Sequence, residues 1–143
     1  MYIRSMQLQD VEQVAALEQQ CFSQPWSLKA FQEVLNTPYR ILFVAIDDDI
    51  VIGECMLTEI AGEGEITNVA VNSAFRKKGI ARHLMKATLS EGEKRNIAAY
   101  TLEVRAGNVA AIKLYESFGF VTEGVRRNFY SKPIEDALIM WKR

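Results

Sequence analysis

Apolar positions recur at two periods along the chain, and the changes of period mark its elements. Residues 1–6 read as an edge strand. Behind Asp10, a helix N-cap with Gln13 three residues on as in a capping box, Val11, Val14, Ala15 and Leu17 fall on one helical face. The run Phe22-Ser23-Gln24-Pro25-Trp26-Ser27 interrupts it. Ser27 then caps a second helix with Leu28, Phe31 and Leu35 inward, and Pro38 ends that helix at the latest. The period changes to that of strands over residues 41–46 and 50–60, joined as a hairpin by Asp47-Asp48-Asp49. Gly62 and Gly64 break the chain before a strand at Glu65 that carries Ile66, Val69, Ala70 and Val71 and completes an antiparallel meander. Ile80, Leu84, Ala87 and Glu91 follow at helical spacing, widened by Ala81 and Thr88, with Arg82, His83, Lys86 and Ser90 opposite. Residues 99–105 form another strand. Asn108 caps a helix running to Phe118, and Gly119 stands where a left-handed C-terminal residue is wanted. Residues 120–125 and 136–141 are two closing strands around a loop that contains Asn128, Phe129, Tyr130 and Pro133.

This order predicts an α/β chain of mixed α+β type: one domain over residues 1–143, built on a single mixed sheet with helices on both faces. Composition narrows the picture. The 143 residues are 49% hydrophobic, enough for a real core. Lysine and arginine total 17 against 18 acidic residues, a formal net charge of -1, so no global field draws the protein to nucleic acid or to a membrane, and any anionic ligand must be held locally. Cys21 and Cys55 show no close metal-ligand spacing, and the single histidine lies on the polar side of a helix, so no metal is expected. Arg4, Gln7, Gln9 and Asp10 interrupt the apolar residues of the N-terminus, and no stretch is long enough to span a bilayer. The expectation is a cytoplasmic protein with reduced thiols. The oligomeric state is open, with a monomer favoured.

Chemistry concentrates at three places. The strand ending at Val71 delivers Arg76-Lys77-Lys78-Gly79-Ile80-Ala81 onto a helix N-terminus, where unpaired N–H groups and the helix dipole can hold phosphate. A plain basic loop is the alternative. Glu103 shares one strand face with Thr101 and Arg105, while Tyr100, Leu102 and Val104 take the other. A carboxylate in a covered central strand must be paired or functional. Asn108, Ala111 and Tyr115 share one helix face, where a tyrosine is either core or catalyst.

Taken together, Arg76 to Ala81, the run Leu102-Glu103-Val104-Arg105, Asn108, Tyr115 and Phe118-Gly119-Phe120 resemble the GCN5-related N-acetyltransferases (GNAT). Within them the chain is similar to the RimI-type ribosomal-protein alanine N-acetyltransferases, a likeness extended by Phe22, Pro25-Trp26-Ser27, Asn68-Val69-Ala70-Val71, Arg126 to Tyr130 and Glu135-Asp136-Ala137. The resemblance implies the GNAT fold, a mostly antiparallel sheet of about seven strands in which one parallel pair splays. It implies transfer of acetyl from acetyl-CoA to the N-terminal amine of a protein, with no metal. Glu103 would be the general base and Tyr115 the acid for the thiolate. Val69, Ala70 and Val71 would hold pantetheine through their backbone, Val71 offering an oxyanion N–H. Arg76, Lys77, Lys78, Gly79, Ile80, Ala81 and Arg82 would hold the pyrophosphate, and Asn108 the coenzyme arm. Trp26 and Tyr130 would line the acceptor groove, or pack. Glu63, Glu123, Glu135 and Asp136 could steer a basic N-terminus of a ribosomal protein. Three departures stand out: Ala81 for the commoner glycine, Gly107 where serine is frequent, and a short segment from Tyr130 to Glu135. A small-amine acetyltransferase, for a polyamine or aminoglycoside, and a non-catalytic coenzyme A-binding module are the competing readings.

Overall fold

A computed structural model describes residues 1–143. Seven strands form one sheet in the order β1-β2-β3-β4-β5-β7-β6. They are β1 Tyr2–Ser5, β2 Arg40–Asp47, β3 Ile50–Ile60, β4 Glu63–Val71, β5 Ala99–Arg105, β6 Val121–Tyr130 and β7 Glu135–Lys142. All neighbours are antiparallel except β4 and β5, which run parallel. Helices α1 (Val11–Cys21) and α2 (Leu28–Val34) cover one face, with Val11, Val14, Leu17 and Phe31 packed on Val44, Met56 and Ala70. Helices α3 (Ile80–Lys94) and α4 (Val109–Ser117) cover the other, where Leu84, Met85, Leu89 and Tyr115 meet Ile52, Leu57, Ile66 and Leu102. The mixed sheet with helices on both faces is thus the observed fold, and the meander β2-β3-β4 closes as predicted.

Several details differ from the pattern, each for a local reason. Asp10 does not cap α1 with its side chain. Its carboxylate instead takes two hydrogen bonds from Arg4, at 2.6 and 2.9 Å, and one from the Gln7 N–H at 2.8 Å. The capping box is therefore Gln7–Asp10, around a single 3-10 turn, and Gln13 turns away to accept the Val51 N–H. Ser27 does cap α2, accepting from the Ala30 N–H, but Leu28 is 38% exposed and only Phe31 of the helix is fully buried. Gly64 lies inside β4, not before it: a Cβ there would come within 2.7 Å of Leu57 Cδ1. On α3 the buried side is Ile80, Leu84, Met85, Thr88, Leu89 and Gly92, so the apolar stripe is rotated away from Glu91. Strand β6 runs on to Tyr130, so Asn128, Phe129 and Tyr130 belong to a strand. A register irregularity between Arg126 and Tyr130, with Asn128 at φ 52°, had broken the alternation from which its end was read.

What positions the site is the way β4 leaves its neighbours. Between the pairs Glu54–Ala70 and Met56–Thr67, β3 advances two residues and β4 three, so β4 carries one extra residue. Asn68 sits there at φ 57°. The inserted residue resets the alternation, turning Ala70 toward α1 while Val69 and Val71 face the α3 side. Parallel pairing with β5 spans only Glu63–Ala99 to Ile66–Leu102 and then stops. Beyond it, β5 continues with β7 alone, and a gap opens between β4 and β5.

Candidate active site

The backbone of β4 supplies one wall of the gap. Asn72 donates to the Ile52 carbonyl at 2.8 Å, which makes Val71 and Gly53 the non-hydrogen-bonded pair of the antiparallel ladder. The Val71 N–H and C=O therefore point away from β3, into the gap. The carbonyl is taken by Arg76 Nε at 3.3 Å and Cys21 Sγ at 3.5 Å, while the N–H remains available.

At the mouth of the gap the chain makes a 3-10 turn at Ser73–Phe75, capped by Asn72, and then enters α3. Lys77 and Gly79 both have positive φ, 64° and 76°, which turns the loop sharply onto the helix. A Cβ at Gly79 would meet nothing, so glycine is wanted there for its backbone conformation and not for space. The first turn of α3 has no side-chain cap and no acidic residue. Its leading N–H groups and the dipole thus face outward beside Lys77, Lys78 and Ala81. Arg76 folds back onto Val71 and Cys21, and Arg82 reaches Ser117 of α4 at 3.2 Å, lying over the Phe118 ring. Both arginines clamp the loop to its neighbours.

On the opposite wall, Glu103 and Arg105 emerge from the half-exposed face of β5 as the alternation predicts. Arg126 Nε of β6 lies 2.8 Å from Glu103 Oε2 but off the N–H axis: the charges touch, and that buried oxygen still lacks a hydrogen bond. Asn108 caps α4 through the Ala111 N–H at 3.2 Å. Tyr115 is buried edge-on to Phe120, and burial pushes its phenol pKa up, keeping the proton on oxygen. Tyr130 joins the two. Its own phenol is raised by burial and then by the nearby Glu103 carboxylate, and it in turn bears on Tyr115. The chain thus gathers Glu103, Tyr115 and Tyr130 at one end of the gap. Trp26, in the α1–α2 loop, packs on Phe31 with ring centroids 5.3 Å apart and lies under the Arg40 guanidinium, so its ring is anchored.

The one parallel pair thus opens beside a helix N-terminus, with a carboxylate and a buried phenol nearby. The acetyltransferase (GNAT) family model matches residues 11–120. This chain belongs to the GNAT acetyltransferase family. An Escherichia coli (strain K12) relative, "[Ribosomal protein bS18]-alanine N-acetyltransferase", is 36% identical over 141 residues, covering 96% of this chain and 94% of its own. The crystal structure of the ribosomal-protein-S18-alanine N-acetyltransferase from Escherichia coli superposes with a TM-score of 0.89 at 33% identity, over 99% of this chain and 92% of that one. A Bacillus anthracis acetyltransferase solved in complex with acetyl coenzyme A matches with a TM-score of 0.70 and 26% identity over 79% of this chain and 67% of that one.

This GNAT enzyme has features around its site that the sequence pattern left unmarked. Arg105 is a clasp. Its guanidinium reaches the Ser131 and Pro133 carbonyls, Ser23 Oγ and Glu135 Oε1, all within 3.2 Å, and stacks over the Tyr130 ring, tying the α1–α2 loop to the β6–β7 turn. Glu135 also accepts the Gly107 N–H at 2.6 Å, Asp136 accepts the Asn128 N–H at 2.9 Å, and Glu123 pairs with Arg143. These three acids are bound within the fold, and Glu63 starts β4 at the end away from the gap. Deeper, Glu18 and Glu54 are both 1% exposed. Glu18 could have been found as an acid on the apolar side of α1, one residue beyond Leu17. Glu54 stood in an unbroken apolar run and gave only its charge as a signal.

Proposed function

We propose that this GNAT enzyme moves acetyl from acetyl-CoA to the α-amine of a protein N-terminus, in particular the N-terminal alanine of the small-subunit ribosomal protein bS18 for which its relatives are named. What supports the reading is the end of the β4–β5 ladder at Ile66–Leu102, which leaves the Val71 N–H without a strand partner, farther along the gap that Glu103 borders. Pantetheine lies along Val69 to Val71 in place of the missing strand partner. The pyrophosphate sits at the N–H groups of residues 79–82 beside Lys77 and Lys78, and Asn108 flanks the coenzyme arm from α4. Glu103 takes the ammonium proton through a water, and the amine lone pair attacks the thioester carbonyl while its oxygen leans on the Val71 N–H. The C–S bond breaks as the attacking nitrogen gives up its second proton to solvent, and Tyr115 protonates the departing thiolate and regains its proton from water. Burial keeps the Tyr115 phenol protonated, so its proton is present when the thiolate leaves. Trp26 from the α1–α2 loop and Tyr130 from the end of β6 flank the entering peptide, in the two segments that Arg105 clasps. The enzyme is read as a one-domain, cytoplasmic monomer.

Thiol release from acetyl-CoA, measured with alanine-terminated peptides, N-blocked lysine peptides, polyamines and aminoglycosides, tests this directly. Turnover confined to free N-termini is the expected result. Turnover on small amines only would replace the acceptor class, and tight co-substrate binding without turnover would leave a binding module. Glu103→Gln is expected to lower kcat by about 10²- to 10⁴-fold, with acetyl-CoA affinity retained. Tyr115→Phe is expected to lower kcat with an unchanged melting temperature, and a collapse in stability would instead make that tyrosine a packing residue.

A further inference from the structure

The side of the sheet under α1 is apolar at Val44, Met56 and Ala70, yet two carboxyl groups are buried in it. Glu18 Oε1 accepts the Trp26 N–H at 3.0 Å, and its Oε2 accepts Asn68 Nδ2 at 3.1 Å. One carboxylate therefore touches both the acceptor loop and the extra residue of the β4 bulge. Glu54, which pairs across the ladders with Val44 and Ala70, lies beside it with Oε2 lacking any partner. The titratable groups facing Glu54 are Glu18 and Cys21, both of α1. Burial, and then the neighbouring Glu18, push Glu54 well above the usual carboxylate range.

Stability alone gives no reason for this arrangement. Burying a carboxylate is expensive, and an apolar residue of similar volume serves a sheet face at least as well. The cost makes sense if the two hydrogen bonds do something that packing cannot. Asn68 holds φ 57° and thereby sets where Val69, Ala70 and Val71 point. Trp26 sits in the loop that walls the acceptor groove.

Building on the proposed function, we propose that Glu18 is a positioning residue for acetyl transfer: it ties the acceptor loop, residues 22–27, to the bulge that presents the thioester-binding backbone. Peptide and thioester are thus held in register by one side chain that touches neither.

The test compares Glu18→Leu, which keeps the face apolar and packed, with Asn68→Gly, which keeps a positive φ but removes the amide, and with Glu18→Gln. Gln retains an acceptor for the Trp26 N–H, and its amide can still bond to Asn68 once that side chain rotates. In Glu18→Leu and Asn68→Gly, peptide KM is expected to rise about tenfold, the loss of a buried hydrogen bond, with acetyl-CoA affinity within about twofold and Tm unchanged or higher. Glu18→Gln should stay near the parent. Amide exchange over residues 22–27 should quicken about tenfold in Asn68→Gly, a change made on the strand and not in the loop. Unchanged exchange there would overturn the tie, as would peptide KM, kcat and co-substrate affinity all worsening in step with Tm. If the parent enzyme acetylates no alanine-terminated peptide, the proposed function fails, while the exchange measurement still decides the tie.

Discussion

Gly92 sits in the last turn of α3, where alanine would ordinarily improve a helix by up to roughly 1 kcal/mol. Here a Cβ would run into the Tyr100 hydroxyl and lie 2.8 Å from two of its ring carbons, in a ring that is itself buried. Gly92→Ala is therefore expected to destabilise by about 1–3 kcal/mol, the opposite sign from helix propensity, with Gly92→Ala/Tyr100→Phe recovering part of the loss in a thermal melt. Contacts of this kind explain where a sequence is legible and where it is not. Ser27, Asn108 and Gly119 act through their own backbone neighbours, so local spacing was enough to place them. Glu103 was legible as a polar break in an apolar alternation. Its partner Arg126, the Arg105 clasp and the Glu18–Asn68 bond join residues between 23 and 82 positions apart, and no local pattern encodes such pairings.

Strand β3 shows how one element can carry an unfavourable group for the sake of its neighbours. Glu54 is buried on the α1 side and Cys55 on the other, where burial and, against it, the Thr88 hydroxyl leave the thiol pushed up to about 12. Cys55 should therefore resist alkylation in the native enzyme while Cys21 reacts. For Glu54 the folded pKa lies above the ordinary glutamate value of 4.5, so between those two values the unfolded chain loses its proton first. Stability then falls as pH rises through that window and stays lower above it. Glu54→Gln cannot ionise. It is expected to flatten that slope and to raise Tm at pH 7 relative to the parent, while matching the parent below pH 4; an identical pH dependence in the two proteins would show that Glu54 is not the group responsible. The same strand shows why element ends were read less well than element identities. The extra residue that resets β4 lies opposite Cys55, and it shows only in the register between strands.

Over the whole molecule the charge is near balance, at -1, so attraction for a polyanionic co-substrate has to be local, and the proposed site for it is the loop at the head of α3. Lys77→Ala/Lys78→Ala is expected to weaken acetyl-CoA binding and to flatten its dependence on ionic strength, read by titration between low and physiological salt, without altering Tm. The sheet itself has a seam. Strands β1 to β4 and strands β5, β7 and β6 share only the four residue pairs between Glu63–Ala99 and Ile66–Leu102. Across that seam the molecule resembles a partly fastened zip, and a ligand lying along Val69 to Val71 would act as the missing teeth. Acetyl-CoA should then do more than add its binding energy to the melting curve. It should make two semi-independent halves open as one unit, so that amide exchange rates in β3 and β7, separable in the free enzyme, converge when the co-substrate is bound.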